Sequence, residues 1–231
     1  MKIEFIPSSF EIQETVQCPF SIKKIVPDWY KKVEILNSKN FEFDDNNNVK
    51  NVNIKNCMPF FDAISSGYVQ TTWTDIYVEV KNNFITLRTA CGPEIIQTRD
   101  KVSVPIDSLF YPIEFIWKTP WIPKVPKGYS VLITHPMNRL DLPFMSMSGI
   151  VDSDSFYHTP FGNFPLYIKN GFTGLIPKGT PMYQIIPIKR DSWELEQKLF
   201  DEKTYKIRDN FMKKFFYGAY KKNFWNKKFY N

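Results

Sequence analysis

Histidine, cysteine, glycine and alanine are all scarce in this chain of 231 residues, which has two histidines, three cysteines, nine glycines and three alanines. With so few histidines there is no His-x-Asp or His-Glu-x-x-His cluster, and the common catalytic zinc signatures are excluded. Cys18, Cys57 and Cys91 are odd in number, far apart and free of any Cys-x-x-Cys pairing, so they suggest neither a disulfide framework nor a redox couple, and a reducing interior fits best. No Gly-x-Gly phosphate cradle and no Gly-x-Ser-x-Gly elbow occurs. The nearest approach, Gly171-Phe172-Thr173-Gly174, reads as a hairpin turn. The sequence lacks any run of eighteen apolar residues, and its opening stretch carries charges at Lys2 and Glu4, so neither a transmembrane segment nor a signal sequence is expected.

What is abundant is aromatic and apolar. Apolar residues make up 43% of the chain and aromatic ones 17%, enough to bury a substantial core and to exclude global disorder. The net charge is +6, from 30 Lys and Arg against 24 Asp and Glu. Residues 201–231 hold nine bases and three acids, so the tail alone accounts for that excess and the preceding 200 residues are neutral. A basic face spread over the body, as in a dedicated duplex-DNA reader, is not indicated, and any anionic partner is expected to meet the C-terminal tail. There Lys213, Lys214, Lys221 and Lys222 alternate with aromatics that include Trp225. Such a pattern suits stacking on single-stranded nucleic acid or lying on an anionic surface; it suits equally a helix whose aromatic face packs on the body or on another subunit.

Seventeen prolines, spaced from Pro7 to Pro187, interrupt the chain too often for long helices before residue 190. Alternating or β-branched stretches at 67–80, 83–89, 129–134, 164–169 and 181–188 predict strands. The asparagine-rich 44–53 predicts a hairpin tip or loop. Pro27 at a first-turn position predicts a short helix over 27–34. Asp191 and Glu194 form a box-like start that predicts a helix over 191–201, and 202–222 predicts a second, amphipathic one. The expected organisation is a mainly β domain over 1–190, followed by a basic, aromatic, helical tail over 191–231.

The most specific signal is an order of short blocks in 117–190: Val125-Pro126-Lys127-Gly128-Tyr129, then His135-Pro136-Met137-Asn138-Arg139, then Ser148-Gly149-Ile150-Val151-Asp152-Ser153-Asp154, then Lys178 to Ile186. This order resembles the dUTPase and dCTP deaminase superfamily, whose members carry an I-P-x-G-Y turn, P-R-S-G, A-G-V-I-D-x-D-Y and a K-G-D-R-I-A-Q-L-I strand. A second likeness, to an uncharacterised domain family of phages and bacteria, rests on Cys57 to Pro59, Gly67-Tyr68 and Gly149 to Asp152. The bias towards Lys, Asn, Ile, Phe and Tyr resembles translation of an AT-rich genome and suits a bacteriophage.

The first resemblance implies a β-clip barrel with an N-terminal β extension and one or two C-terminal helices, and by analogy a homotrimer. It implies that Asp152 would orient the attacking water if the chain is an enzyme, with Arg139, Asn138, Asp152, Asp154 and Tyr157 as ligand-binding residues. The phosphate-binding P-R-S-G is altered to His135–Arg139, and the family's glycine-rich closing tail is replaced by lysines and aromatics. A non-catalytic role is therefore expected: an accessory protein that binds a small ligand, such as a nucleotide, or a protein partner through a degenerate pocket. A divergent nucleotide hydrolase or deaminase and a virion or assembly protein are the alternatives. No cofactor is expected, and Mg²⁺ only if a nucleotide is bound. His135 and His158 flank the two aspartates in sequence, but strand-end capping is preferred to an iron site, and Asp152 and Asp154 can equally serve by satisfying turn amides. The expected location is the host cytoplasm or a virion.

Overall fold

The computed structural model describes all residues except 46–48, 82–83, 100–103, 159–161 and 214–218, and, within the helices, the side chains of 211–213 and 219. The chain is mainly β. Its strands are β1 (Glu4–Pro7), β2 (Phe20–Ser21), β3 (Tyr68–Thr71), β4 (Ile76–Lys81), β5 (Phe84–Thr89), β6 (Ile96–Arg99), β7 (Glu114–Trp117), β8 (Trp121–Lys124), β9 (Tyr129–Thr134), β10 (Phe144–Ser146), β11 (Gly149–Val151), β12 (Phe164–Ile168), β13 (Gly174–Ile176) and β14 (Pro181–Lys189). The α-helices are α1 (Phe10–Thr15), α2 (Asp28–Lys32), α3 (Met58–Ser65), α4 (Glu202–Lys213) and α5 (Ala219–Asn223). No helix among the described residues is long and apolar enough to cross a membrane.

Two compact units are present. The first comprises Met1–Ile25, Ile64–Arg190 and Tyr230–Asn231; the second comprises Val26–Ala63 and Asp191–Phe229. In the first unit the strands form sheets ordered β11-β9-β14-β3-β2, β10-β12-β7-β6, β13-β4-β5 and β1-β8, with every strand pairing among the described residues antiparallel. Short strands broken by proline and turns cannot each bury a face alone; Ile12, Val16 and Trp121 form a small cluster of their own, and the larger sheets share one main core. Trp117, Phe115, Phe144, Leu166, Ile133, Met182 and Tyr183 are fully enclosed in it. The Trp117 indole donates to Ser146 Oγ at 2.9 Å, and that hydroxyl donates on to the Met182 carbonyl at 2.6 Å, which satisfies the polar atoms that the large ring carries inside.

The strands predicted at 83–89, 129–134, 164–169 and 181–188 are present. The stretch 67–80 is two strands in different sheets, β3 and β4. Thr72 breaks it by turning both its amide, to the Thr180 carbonyl at 2.8 Å, and its hydroxyl, to the Pro177 carbonyl at 2.8 Å, onto the turn before β14. Gly171–Gly174 is not a hairpin turn: β12 lies beside β10 and β7, whereas β13 pairs with β4, so the segment carries the chain from one sheet to another. In the second unit, antiparallel bridges Leu36↔Val52 and Phe43↔Val49 bracket the asparagine-rich loop, whose tip at 46–48 lies outside the described residues. The short helix predicted at 27–34 is α2, and its buried Tyr30 stacks on Phe60 and Phe61 at centroid distances of 5.8 and 6.1 Å.

The helix predicted over 191–201 is absent, for residues 190–201 have no regular structure. The start signal actually used is Asp201. Its carboxylate accepts from the Lys203 and Thr204 amides at 3.2 and 3.1 Å and opens α4 instead. Asp191 and Glu194 offer the same residue types, but Trp193 and Phe200 would fall on one face of such a helix and Leu195 and Leu199 on nearly the opposite one, leaving no single apolar stripe to bury.

Candidate functional site

Strand register assembles a polar corner at one end of β9. In the β9–β14 pair, Tyr129 lies opposite Lys189 and Ser130 opposite Ile188, so Arg190 follows directly and its amide donates to the Gly128 carbonyl at 2.9 Å. On the other side of β9, β11 ends with Val151 opposite Val131, which delivers Asp152 and Asp154 to the same end. Gly128, at φ +84°, completes the Pro126–Tyr129 turn, closed by Tyr129 N–H donating to the Pro126 carbonyl at 3.1 Å.

Within this corner the carboxylates are already occupied. Arg190 Nη1 donates to Asp152 Oδ1 at 3.1 Å, to Asp154 Oδ1 at 3.0 Å, to Ser130 Oγ at 3.1 Å and to the Tyr129 carbonyl at 2.9 Å, while Nη2 donates to Asp154 Oδ2. The Gly128 amide adds a bond to Asp154 Oδ2 at 2.9 Å, and the Ser130 hydroxyl donates to Asp152 Oδ1 at 2.6 Å. The Asp154 side chain is only 7% exposed, and the Arg190 guanidinium, helped by the Gly128 amide, holds its carboxyl down to about 2. Asp152 differs in exposure: its side chain is 63% exposed.

The other predicted ligand-binding residues lie elsewhere. Arg139 and Asn138 follow the opposite end of the six-residue β9, about 20 Å from the corner at roughly 3.3 Å per residue. Arg139 is itself committed, with Nε and Nη2 gripping the Asp141 carboxylate at 2.9 and 2.8 Å. Asn138 takes a left-handed conformation at φ 59°, which asparagine tolerates, in a turn closed by Arg139 N–H donating to the Pro136 carbonyl at 3.1 Å. His135 is buried beside it. Its Nδ1 accepts from the Ser146 amide at 3.3 Å, so Nε2 is the nitrogen that donates to the Arg139 carbonyl at 3.1 Å, and burial lowers its pKa to favour this neutral form. Structurally it is a strand-end residue.

Tyr157 is in a third place, on the 3₁₀ turn Phe156–His158. It sits beside His158, with ring centroids 3.8 Å apart, and under the Lys124 ammonium at 4.7 Å. Both rings line a cleft of about 570 Å³ together with Trp73, Glu94, Lys118 and Asn163. Lys118 Nζ is held there by Glu94 at 3.1 Å and Gln97 Oε1 at 2.7 Å, and the Trp73 indole donates to the Pro93 carbonyl at 3.0 Å. The cleft therefore presents aromatic faces flanked by polar groups whose orientation is fixed.

Of the tail residues expected to contact a partner, Trp225 is engaged within the second unit: its indole N–H lies 3.1 and 3.0 Å from the two Asp62 carboxylate oxygens, and Lys228 Nζ is 2.6 Å from one of them. Lys221 and Lys222 are exposed on α5, while Lys214 and the side chain of Lys213 lie outside the described residues. Among the described residues no group of three His, Cys, Asp or Glu side chains could hold a metal.

The residue of the polar corner that the sequence reading missed is Arg190. Nothing local marks it, because a basic residue ending a strand is ordinary; only the β9–β14 register places it opposite Gly128 and over the aspartates. No family model matches the sequence, and no curated protein matches it. Among solved structures, the chain is similar to a Staphylococcus bacteriophage 80alpha dUTPase with dUPNHPP, at 12% identity and a TM-score of 0.35 over 87% of this chain and 90% of that one. It is similar also to a mutant of the same phage's dUTPase with dUpNHpp, at 14% identity and a TM-score of 0.32 over 71% and 91%. A mutant dUTPase from phage phi11 of S. aureus is matched at 16% identity and a TM-score of 0.30 over 60% of this chain and 86% of that chain.

Proposed function

We propose that this chain is a non-catalytic accessory protein of the phage type that binds a small ring-bearing ligand, with nucleotides as the first class, in the cleft lined by Trp73, Tyr157 and His158. The observation that carries the non-catalytic reading is Arg190. One guanidinium bridges Asp152 and Asp154, so the carboxylate that the motif resemblance would make a water-orienting base is tied into an ion pair and a serine hydrogen bond. The carboxylate pair then works as a clamp that fixes the ends of β9, β11 and β14. For binding, the cleft supplies aromatic faces against which a base can stack, beside a Lys118 ammonium that Glu94 and Gln97 hold in place.

The test is a thermal-shift titration with dUMP, dUTP and inorganic phosphate, read beside a phosphate-release assay. The expected result is stabilisation by a nucleotide that Tyr157→Ala or Trp73→Ala removes, without phosphate release; a ligand at one hundred times its dissociation constant adds about 2.7 kcal/mol. Absence of stabilisation by any of the three overturns the ligand-binding reading. One observation favours the hydrolase alternative: the exposed Asp152 side chain faces solvent. Turnover that Asp152→Asn abolishes without lowering the melting temperature would establish that alternative. Magnesium would accompany only a bound nucleotide, and a homotrimer remains part of the proposal on motif resemblance alone.

A further inference from the structure

The short strand β2 and the turn after it set two lysines on a fixed base. Phe20 pairs with Val69 and Ser21 with Tyr68 across the β2–β3 register, and the Ile22 amide donates to the Gly67 carbonyl at 3.2 Å. Pro19, Ser21 and Ile22 are buried there, which holds the 3₁₀ turn Ile22–Ile25 against the sheet and leaves Lys23 and Lys24 exposed on it. Neither lysine has an ion-pair partner among the described residues.

Beside them stands a wall of rings. Tyr68 meets Phe5 at a centroid distance of 5.4 Å and Tyr230 at 6.0 Å, with interplanar angles of 71° and 84°, and its hydroxyl donates to the Asn231 main-chain oxygen at 3.3 Å. Rings locked edge to face cannot collapse onto one another, so the wall they form is preorganised. Lysines and rings meet at one cleft of about 750 Å³, within the range of about 300–1,000 Å³ usual for small-molecule sites. Lys2, Lys23, Lys24, Phe20, Tyr68 and Tyr230 line it, no Asp or Glu side chain does, and it shares no lining residue with the Trp73–Tyr157 cleft. Of the three lysines only Lys2 is near a carboxylate, that of Glu4 at 3.4 Å. In a body whose first 200 residues are neutral, this concentration of one sign is local.

We propose that this cleft binds a small aromatic compound bearing a phosphate monoester, with the phosphate at the Lys23 and Lys24 ammonium groups and the ring against Phe20, Tyr68 and Tyr230. Charge sets the anionic group: two ammonium groups on adjacent residues balance a dianion, and a phosphate monoester carries about −1.5 to −2 at pH 7, whereas a carboxylate carries a single charge. The rings set the rest, since an inorganic anion would leave the aromatic wall in water. Lys24 Nζ already lies 6.0 Å from the Phe20 ring centroid, so a ring and the anion attached to it meet neighbouring groups. This site does not depend on the nucleotide reading of the Trp73–Tyr157 cleft, and either can fail alone.

Calorimetric titration of the full chain with phenyl phosphate, benzenesulfonate and inorganic phosphate tests the proposal. Phenyl phosphate is expected to bind at one site and the other two more weakly, one for want of the second charge and the other for want of the ring. Lys23→Gln with Lys24→Gln is expected to weaken phenyl phosphate by about tenfold or more, the scale of a lost charge-assisted hydrogen bond. The melting temperature of that variant is expected to be unchanged, because both side chains are exposed. Lys23→Arg with Lys24→Arg is expected to retain binding, and Tyr157→Ala, in the other cleft, to leave it unaltered. No binding of phenyl phosphate at millimolar concentration, equal binding by the glutamine variant, or equal affinity for inorganic phosphate or benzenesulfonate would overturn the proposal. Binding lost in Tyr157→Ala and kept in the glutamine variant would overturn it too, by assigning the ligand to the other cleft.

Discussion

Arg190 and Asp154 hold the corner of the molecule together by a charge-assisted pair, and that pair has a pH signature. Asp154 has a folded-state pKa of about 2, below the value near 3.8 of a free aspartate, so the folded chain binds fewer protons than the unfolded one in the interval between. Its stabilising contribution is complete above about pH 4 and is lost as the pH falls towards about 2. The melting temperature is therefore expected to fall across this interval by more in the unmodified chain than in Asp154→Asn; parallel curves would show that the pair contributes nothing. At this scale the sequence was half legible. The Gly149–Asp154 block announced acidic residues at a strand end, which is where they lie, and the alternative of turn-satisfying carboxylates describes the Gly128 amide on Asp154 well. Arg190 was illegible because its partner is 36 residues away and set by register.

At the scale of elements, the segment joining α3 to β3 shows how a single backbone position controls sheet assembly. Gly67 has φ +76°, and a Cβ placed there would lie 2.3 Å from the Ile185 carbonyl oxygen of β14, far inside contact distance. The Gly67 carbonyl also accepts from the Ile22 amide at 3.2 Å, so its conformation is fixed from both sides. Gly67→Ala must strain the backbone, at about 1–3 kcal/mol for the left-handed conformation, and must also push β3 from β14. The expected outcome is a urea midpoint lowered by more than that backbone strain alone would give; a midpoint within error of the unmodified chain would show that β14 moves freely. The Gly-Tyr pair stood out in the sequence, yet its reason, the close approach of β14, did not. The same limit explains the helix boundary: an Asp-x-x-Glu start at 191 and the Asp201 start ten residues on look alike locally, and only the absence of a single apolar stripe over 191–201 separates them.

At the scale of the whole molecule, local pattern foretold which segments would be strands, since alternation and β-branching act within a few residues, but not which strands would meet. β1 pairs with β8 across more than one hundred residues, and β14 lies between β9 and β3 in the five-stranded sheet. Such pairings come from closing a shared core, which no short window contains. Their consequence is an uneven distribution of stability. β14 is hydrogen-bonded on both sides, and Met182, Tyr183, Gln184 and Ile185 are fully buried. α4, by contrast, leaves its Tyr205 and Ile207 side chains largely exposed, and a twelve-residue helix with little tertiary burial is marginal in water. Native-state hydrogen exchange is therefore expected to place the amides of residues 182–186 among the slowest, opening only with the global unfolding free energy, and those of α4 orders of magnitude faster. If α4 instead exchanged as slowly as β14, its exposed apolar side chains would have to be covered in solution. If β14 exchanged as fast as α4, the five-stranded sheet would not be the cooperative centre of this fold.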